Sequence, residues 1–250
     1  MSTPRVSVIM PAYRCAGTIG ESIRSVQAQT LFDWELLIVD DGNRDDTPAV
    51  IDSFAKADPR IRVICLPDNS GVANARNVGV RAAVAEWIAF LDSDDMWLPD
   101  KLERQLALAK ETGAPLLYTG AACIDEHSQK TGREFKVPAS TAYRSQLYGN
   151  DIVCSTVLMR RELFLRHPME RSDLHEDYLC WLAALQEGFT AYGIPEPLIL
   201  YRLSAGSKSG NKLHSAVMTW RTYKHLGFGL AKRLLFFTGY AVHGIRRYRL

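Results

Sequence analysis

A chain of 250 residues with 47% hydrophobic and 23% charged side chains is too apolar for a disordered polymer and too polar for a membrane bundle. It reads as one globular unit or two small ones. The net charge of +2 conceals a division: residues 1–196 carry 20 Lys and Arg against 28 Asp and Glu, whereas 197–250 carry ten bases and no acid. A tail of that polarity suits an anionic partner such as a phospholipid surface, nucleic acid or a phosphorylated substrate. The five cysteines are odd in number and never form a CxxC pair, which argues against a disulfide framework or a zinc site and for a reduced, cytosolic setting. The apolar run Val6–Met10 is too short for a signal-peptide core or a membrane span.

In chain order, Val6–Met10 is predicted as a strand stopped by Pro11, and Thr18–Thr30 as a helix burying Ile19, Ile23 and Val26. Glu35–Val39 forms a second strand ending in Asp40-Asp41-Gly42. Asp46 and Pro48 then supply a cap and a first-turn proline for a helix through Ala57. Ile61–Leu66 is a third strand, Val72–Ala85 a helix, and Trp87–Leu91 a fourth strand ending in Asp92-Ser93-Asp94-Asp95, after which Pro99 opens another helix. This alternation predicts an α/β domain around a parallel sheet. Further on come a strand at Leu116–Tyr118, a polar stretch Asp125–Arg133, a short helix near Tyr143, extended chain over Thr156–Met159 and a helix over Glu176–Gln186. Phe189–Ile194 and Pro197–Arg202 read as short edge strands because proline cannot donate to a sheet ladder. A polar loop, Ser204–Gly210, precedes two final helices, about 211–225 and 228–247. Within the second, Leu234–Ile245 is mostly apolar but well short of the roughly 20 residues that span a bilayer.

Acids therefore stand just past the carboxyl ends of two strands, where open α/β sheets bind ligands. Asp92 and Asp94, two apart, suit a hard cation such as Mg²⁺ or Mn²⁺, which uses one or two carboxylates together with substrate phosphates. The same residues also read as an acidic turn capping the next helix. The first strand lacks a GxGxxG continuation and no GxxxxGK[ST] loop occurs, which argues against dinucleotide dehydrogenases and P-loop enzymes. The absence of a glycine- and basic-rich signature in the same place argues against a sugar-1-phosphate nucleotidyltransferase. His175-Glu176-Asp177 opens a helix, where the macrodipole favours acids and keeps them ionised. Trp97 and Trp181 read either as a sugar-stacking wall or as core.

Taken in order, VSVIMPAY, ELLIVDDG, SGVANARN, WIAFLDSDD, His175-Glu176-Asp177 and YRLSAGSKSGNK resemble the family 2 glycosyltransferases of GT-A fold. Among these the sequence is most similar to bacterial enzymes that build capsule, O-antigen or teichuronic-acid-type surface polysaccharide. The resemblance implies a Rossmann-like GT-A domain over residues 1–215, with a nucleotide-sugar half over about 1–100, an acceptor half over about 101–215, and a helical tail, 216–250. It implies an inverting transfer from a nucleoside diphosphate sugar, UDP-linked, to a hydroxyl of a lipid-linked glycan. The alternative is a non-catalytic member that binds donor or glycan within a synthase complex. Residue by residue, it places Pro11 and Tyr13 against the nucleotide base, with Asp41 accepting from the uracil ring N–H. It places Arg76 beside the acids, where an ion pair with Asp92 or Asp94 is the other reading. Asp94 becomes the principal Mn²⁺ or Mg²⁺ ligand, Asp92 a ribose or metal contact, and Ser93 part of the donor site. Asp95 and Glu176 fall on the acceptor side, Asp177 is the base, and Arg202 belongs with Ser207 and Lys208 to a loop closing over the diphosphate. Ser204 stands where many relatives carry a metal-binding histidine, a departure that leaves the third protein ligand, and metal dependence itself, open.

The tail interleaves Arg221, Lys224, Lys232, Arg233, Arg246, Arg247 and Arg249 with Leu230, Leu234, Leu235, Phe236 and Phe237. It reads as an amphipathic helix lying on the anionic cytoplasmic leaflet, making the protein cytoplasmic and peripheral. The other reading is a helix pair packed on the domain or in a homo-oligomer. No nucleic-acid recognition motif accompanies the bases.

Overall fold

The computed structural model describes residues 3–170, 173–203 and 212–249. The first half alternates strand and helix as expected: β1 (Val6–Ala12), α1 (Ile19–Gln27), β2 (Trp34–Asp40), α2 (Thr47–Ala57), β3 (Ile61–Cys65), α3 (Val72–Ala82), β4 (Trp87–Phe90), a two-residue β5 (Met96–Trp97) and α4 (Lys101–Thr112). The second half contains β6 (Leu116–Ile124), β7 (Lys130–Phe135), β8 (Ser140–Thr141), α5 (Tyr143–Gln146), a 3₁₀ turn (Cys154–Thr156), β9 (Leu158–Arg160), α6 (Arg161–Arg166), α7 (Glu176–Leu185), β10 (Ala191–Arg202), α8 (Lys212–His225) and α9 (Leu230–Arg249).

All ten strands join one sheet in the order β3-β2-β1-β4-β9-β6-β10-β5, with β7 added to β6 and β8 to β10. The strands β1 to β4 are mutually parallel, β9 runs antiparallel to β4 and β6, and β10 is parallel to β6. Every residue of β1 and β2 is buried, which explains their unbroken apolar runs: a parallel sheet is covered on both faces. Alternation along β1 sends Val8 and Met10 to a core shared with α1, α2 and α4, and Ile9 to a core shared with α3, α6 and α7.

Three departures have local causes. Pro11 does not stop β1. The Ile9 carbonyl accepts from Leu91 N–H on the β4 side, so Pro11, two residues on, turns its missing donor toward the same side, beyond the last β4 residue paired with β1. The two supposed edge strands are one interior strand, β10, flanked by β6 on one side and by β5 and β8 on the other. Its prolines sit where the register with β6 shifts, between Ile194 and Ile199, and the bulge presses close enough that a Cβ on Gly120 would lie 2.5 Å from the Pro195 carbonyl oxygen. The polar stretch after β6 is a hairpin: Asp125 Oδ1 accepts from His127 and Gln129 N–H, both at 2.9 Å, an Asx turn that feeds a mostly exposed β7 with no apolar alternation to betray it.

At α2 the expected cap is displaced by one residue: Asp45, not Asp46, accepts from Thr47 N–H at 3.2 Å. Past the other end of α2, Asp58 accepts from Arg60 N–H, Nε and Nη2 and from Gln27 Nε2 at 2.8–3.1 Å. These bonds, Arg60's foremost, lower its carboxyl to about 2 from 3.8. A depressed acid stabilises the fold above its unfolded pKa and loses that contribution as pH falls through the folded one. Asp58→Asn is therefore expected to cost about 1–2 kcal/mol at pH 7, with the difference from wild type closing as pH drops from about 4 to 2. Urea titrations across that range check it, and a pH-independent difference would refute it.

Candidate active site

In the sheet β1 lies between β2 and β4, so the residues following these three parallel strands converge at one end. Tyr13, just past β1, is 42% exposed and carries the Arg14 guanidinium 5.2 Å from its ring centroid. Pro11 beneath it is buried. An aromatic ring left open at a strand end offers a face on which a base can stack.

Asp41 lies buried just past β2. Its Oδ1 accepts from the Ser70 N–H and hydroxyl, both at 2.8 Å, and its Oδ2 from Gly71 N–H at 3.0 Å. It thus fastens the start of α3 to the end of β2, with one lone pair of Oδ2 left over for a ligand donor. Asp40 does similar work one residue earlier, accepting from Asn43 N–H and Nδ2.

Arg76 projects from α3 and is 4% exposed. Its Nη2 donates to Asp92 Oδ1 at 2.5 Å and its Nη1 to Glu176 Oε1 at 3.3 Å. Burial opposes the guanidinium charge, yet Asp92 and Glu176 hold its pKa above the ordinary arginine value. Of the two expected roles, the ion pair is what the geometry displays. It spans further than anticipated, tying Asp92 at the end of β4 to Glu176 at the start of α7, and Arg76 itself lies 100 residues before Glu176. Asp92 N–H also donates to Ser155 Oγ at 3.1 Å. Ser155 lies in the 3₁₀ turn and belongs to no motif that sequence would single out.

Around Asp92 the acids outnumber the cations. Burial, then the charge of Asp92, pushes Asp94 up to about 6, and burial with its two acidic neighbours raises Asp95. Asp95 Oδ1 accepts from Arg202 N–H at 2.9 Å, while its buried Oδ2 has no hydrogen-bond partner among the described residues. Crowded, desolvated carboxylates of this kind fit a hard cation. Among the described residues no three His, Cys, Asp or Glu side chains form a metal site; two carboxylates are the number that Mg²⁺ takes from a protein when substrate phosphates complete its shell.

Arg202 corrects the expectation of a residue closing over the diphosphate. It ends β10, is 4% exposed, and its guanidinium is committed to protein: Nε to the Asp94 carbonyl at 2.8 Å, Nη1 to the Asp125 carbonyl and Ser128 Oγ, and Nη2 to Glu21 Oε2 at 2.7 Å. It buttresses the acidic turn from behind. Ser204, Ser207 and Lys208 lie outside the described residues.

Asp177 is the second residue of α7, with Oδ1 accepting from Tyr178 N–H at 2.7 Å. Its pKa is raised, by burial first and by Glu176 next, against the lowering pull of Arg76 and His175. The helix terminus therefore does not dominate, contrary to expectation. His175 turns the other way, its Nε2 lying 3.2 Å from the Ser215 carbonyl of α8. Trp97 and Trp181 are both core. Trp97 Nε1 donates to the Ser155 carbonyl at 2.9 Å, and Trp181 packs on Phe90 with ring centroids 6.0 Å apart.

An open aromatic, a cluster of desolvated acids and a basic bridge to a helix bearing a raised carboxylate thus meet at one sheet end. The model of glycosyl transferase family 2 matches residues 7–167. The chain belongs to that family. It is 38% identical over 89% of its length to TuaG of Bacillus subtilis (strain 168), named for glycosyltransfer in teichuronic acid biosynthesis, and spans 88% of that protein. It is 33% identical over 97% of its length, and 94% of the relative's, to the Escherichia coli UDP-Glc:alpha-D-GlcNAc-diphosphoundecaprenol beta-1,3-glucosyltransferase WfgD. Among solved structures, S. aureus TarS 1–349 in complex with UDP superposes with a TM-score of 0.68 at 20% identity, covering 93% of this chain and 69% of that one. The fold of this family 2 glycosyltransferase is GT-A.

Proposed function

We propose that this family 2 glycosyltransferase moves a sugar, with inversion, from a UDP-linked donor to a hydroxyl of a lipid-linked bacterial surface-glycan precursor. The observation that carries the reading is the Asp92–Arg76–Glu176 bridge, which sets the acidic turn of the donor half against the helix that presents Asp177. The nucleotide lies over Tyr13 and Pro11, with Asp41 facing the base. The acceptor hydroxyl lies toward Asp177, which takes its proton as the new bond to the anomeric carbon forms and the bond to the diphosphate oxygen breaks on the opposite face. A raised pKa makes Asp177 a stronger base than a solvated carboxylate. The diphosphate departs with its electron pair and needs no partner acid. Asp94 and Asp92 would hold Mn²⁺ or Mg²⁺, which supplies positive charge to the leaving diphosphate. The relative WfgD, named as a glucosyltransferase with UDP-Glc as donor and a diphosphoundecaprenol-linked acceptor, supports both substrate classes.

On this reading residues 1–100 serve the donor and 101–215 the acceptor, and the tail from 216 rests on the anionic inner face of the cytoplasmic membrane. Arg221, Lys224 and Lys232 are exposed there, as are Leu230, Leu234 and Leu235. No helix among the described residues is long and apolar enough to cross a membrane.

Nucleotide release from a panel of UDP-, GDP- and dTDP-sugars, with Mn²⁺ or Mg²⁺ and then with EDTA, tests the assignment. One UDP-sugar is expected to dominate and EDTA to abolish its turnover. Donor binding without turnover, even with lipid-linked acceptors supplied, would transfer the chain to the non-catalytic alternative.

A further inference from the structure

Lys101, the first residue of α4, is fully buried, an unfavourable place for a cation. Burial alone lowers its pKa, with no carboxylate to oppose it. Its Nζ donates to Gln105 Oε1 at 2.7 Å and lies 4.1 Å from the Trp97 ring centroid. Lys101 thus joins two side chains, and both reach the same short segment. Trp97 Nε1 donates to the Ser155 carbonyl and Gln105 Nε2 to the Thr156 carbonyl, each at 2.9 Å. Two consecutive carbonyls of the 3₁₀ turn are therefore held by side chains that follow the acidic turn in the chain.

Ser155 completes a clamp. Its Oγ accepts from Asp92 N–H at 3.1 Å, so this one residue grips the acidic segment at both ends, Asp92 through its hydroxyl and Trp97 through its carbonyl. Ser155 and Thr156 are themselves fully buried. Between the two grips, Arg202 Nε holds the Asp94 carbonyl at 2.8 Å. The segment needs such restraint, because burial and the charge of Asp92 already raise Asp94 to about 6, and carboxylates crowded in this way repel one another. A ligand site must keep its groups within about 0.5 Å of the productive geometry, which falls to the side chains packed behind them.

We infer that Ser155 is a positioning residue for the donor: it sets the placement of Asp92 and Asp94, and Lys101, through Trp97 and Gln105, keeps Ser155 in place. Both act through the acidic turn, without contact to nucleotide or metal. This role rests on the reading of Asp92 and Asp94 as the carboxylates that hold a divalent cation against the diphosphate of a UDP-sugar. Two variants of the full chain, Ser155→Ala and Lys101→Met, separate it from simple packing. UDP binding is measured by calorimetry in EDTA and across a Mn²⁺ series, and hydrogen exchange of the 91–97 segment is followed by mass spectrometry with no ligand present. Ser155→Ala is expected to bind UDP in EDTA within threefold of wild type, because Tyr13 and Asp41 are untouched. It should need at least tenfold more Mn²⁺ to reach half of the metal-dependent gain. Exchange over 91–97 should quicken at least tenfold, with that of β1 and β2 unchanged, since the Asp92 N–H has lost its acceptor. Lys101→Met should move both readings the same way, by at least threefold. A wild-type Mn²⁺ requirement in both variants, or unchanged exchange over 91–97, overturns the role. So does weaker UDP binding in EDTA that equals the loss in Mn²⁺, which would mark general loosening. A wild type whose UDP binding gains nothing from Mn²⁺ overturns the reading of the acids instead; the exchange measurement then decides the clamp by itself, faster exchange in Ser155→Ala keeping it and equal exchange removing it.

Discussion

Asp177→Asn is expected to lower kcat by about 10²–10⁴-fold, the range lost when a positioned general base is removed, with donor affinity within twofold of wild type. The proposed mechanism places Asp177, at the start of α7 beside Glu176 of the Arg76 bridge, in proton transfer and not in nucleotide recognition. The variant will not fail by unfolding. Burial and Glu176 raise the Asp177 pKa, which means the native state disfavours its charge, and a neutral amide removes that cost. The same shift sets the sign of the wild-type pH profile. Activity is lost as pH falls through a pKa above the usual carboxylate range, because the base must be unprotonated. Steady-state kinetics together with calorimetric UDP binding check all three statements. A kcat within tenfold of wild type would remove Asp177 from the mechanism.

The second large effect is on stability. Arg76→Met is expected to cost about 3–5 kcal/mol, the price of stranding the partners of a buried cation. The side chains of Arg76 and Glu176 are 5% and 10% exposed, and that of Asp92 is 30% exposed, so Glu176 suffers most. Adding Glu176→Gln to Arg76→Met should recover part of the loss, because the stranded charge then disappears. Chemical denaturation of both single variants and the double variant checks this. A cost below about 1 kcal/mol, or simple additivity, would mean that the bridge carries no coupling between the two halves.

Much of this was legible from sequence because it was local. The apolar runs of β1 and β2, the helical periods between them and the acids at Asp40-Asp41 and Asp92–Asp95 report backbone geometry directly, and six short motifs in order pointed to one family. What escaped depended on distant partners. Glu176 and Arg76 lie in separate motifs and nothing local says they touch. Ser155, which receives Asp92 N–H and whose carbonyl receives Trp97 Nε1, lies in a turn without periodicity. The motif suggested substrate contact for Arg202, yet its guanidinium is consumed by Glu21 and the carbonyls of a hairpin that polarity alone disguised as a loop. Asp177 illustrates the same limit: the helix terminus is visible in sequence, but the burial that outweighs it is a property of the assembled core.

The central claim, a single-base displacement at the anomeric carbon, is tested most directly by the stereochemistry of the product. Proton NMR of the glycan formed from the preferred α-linked UDP-sugar should show a β linkage in the first product to accumulate. An α-linked product would contradict the account, because retention requires a second displacement or front-face attack that the placement of Asp177 does not provide.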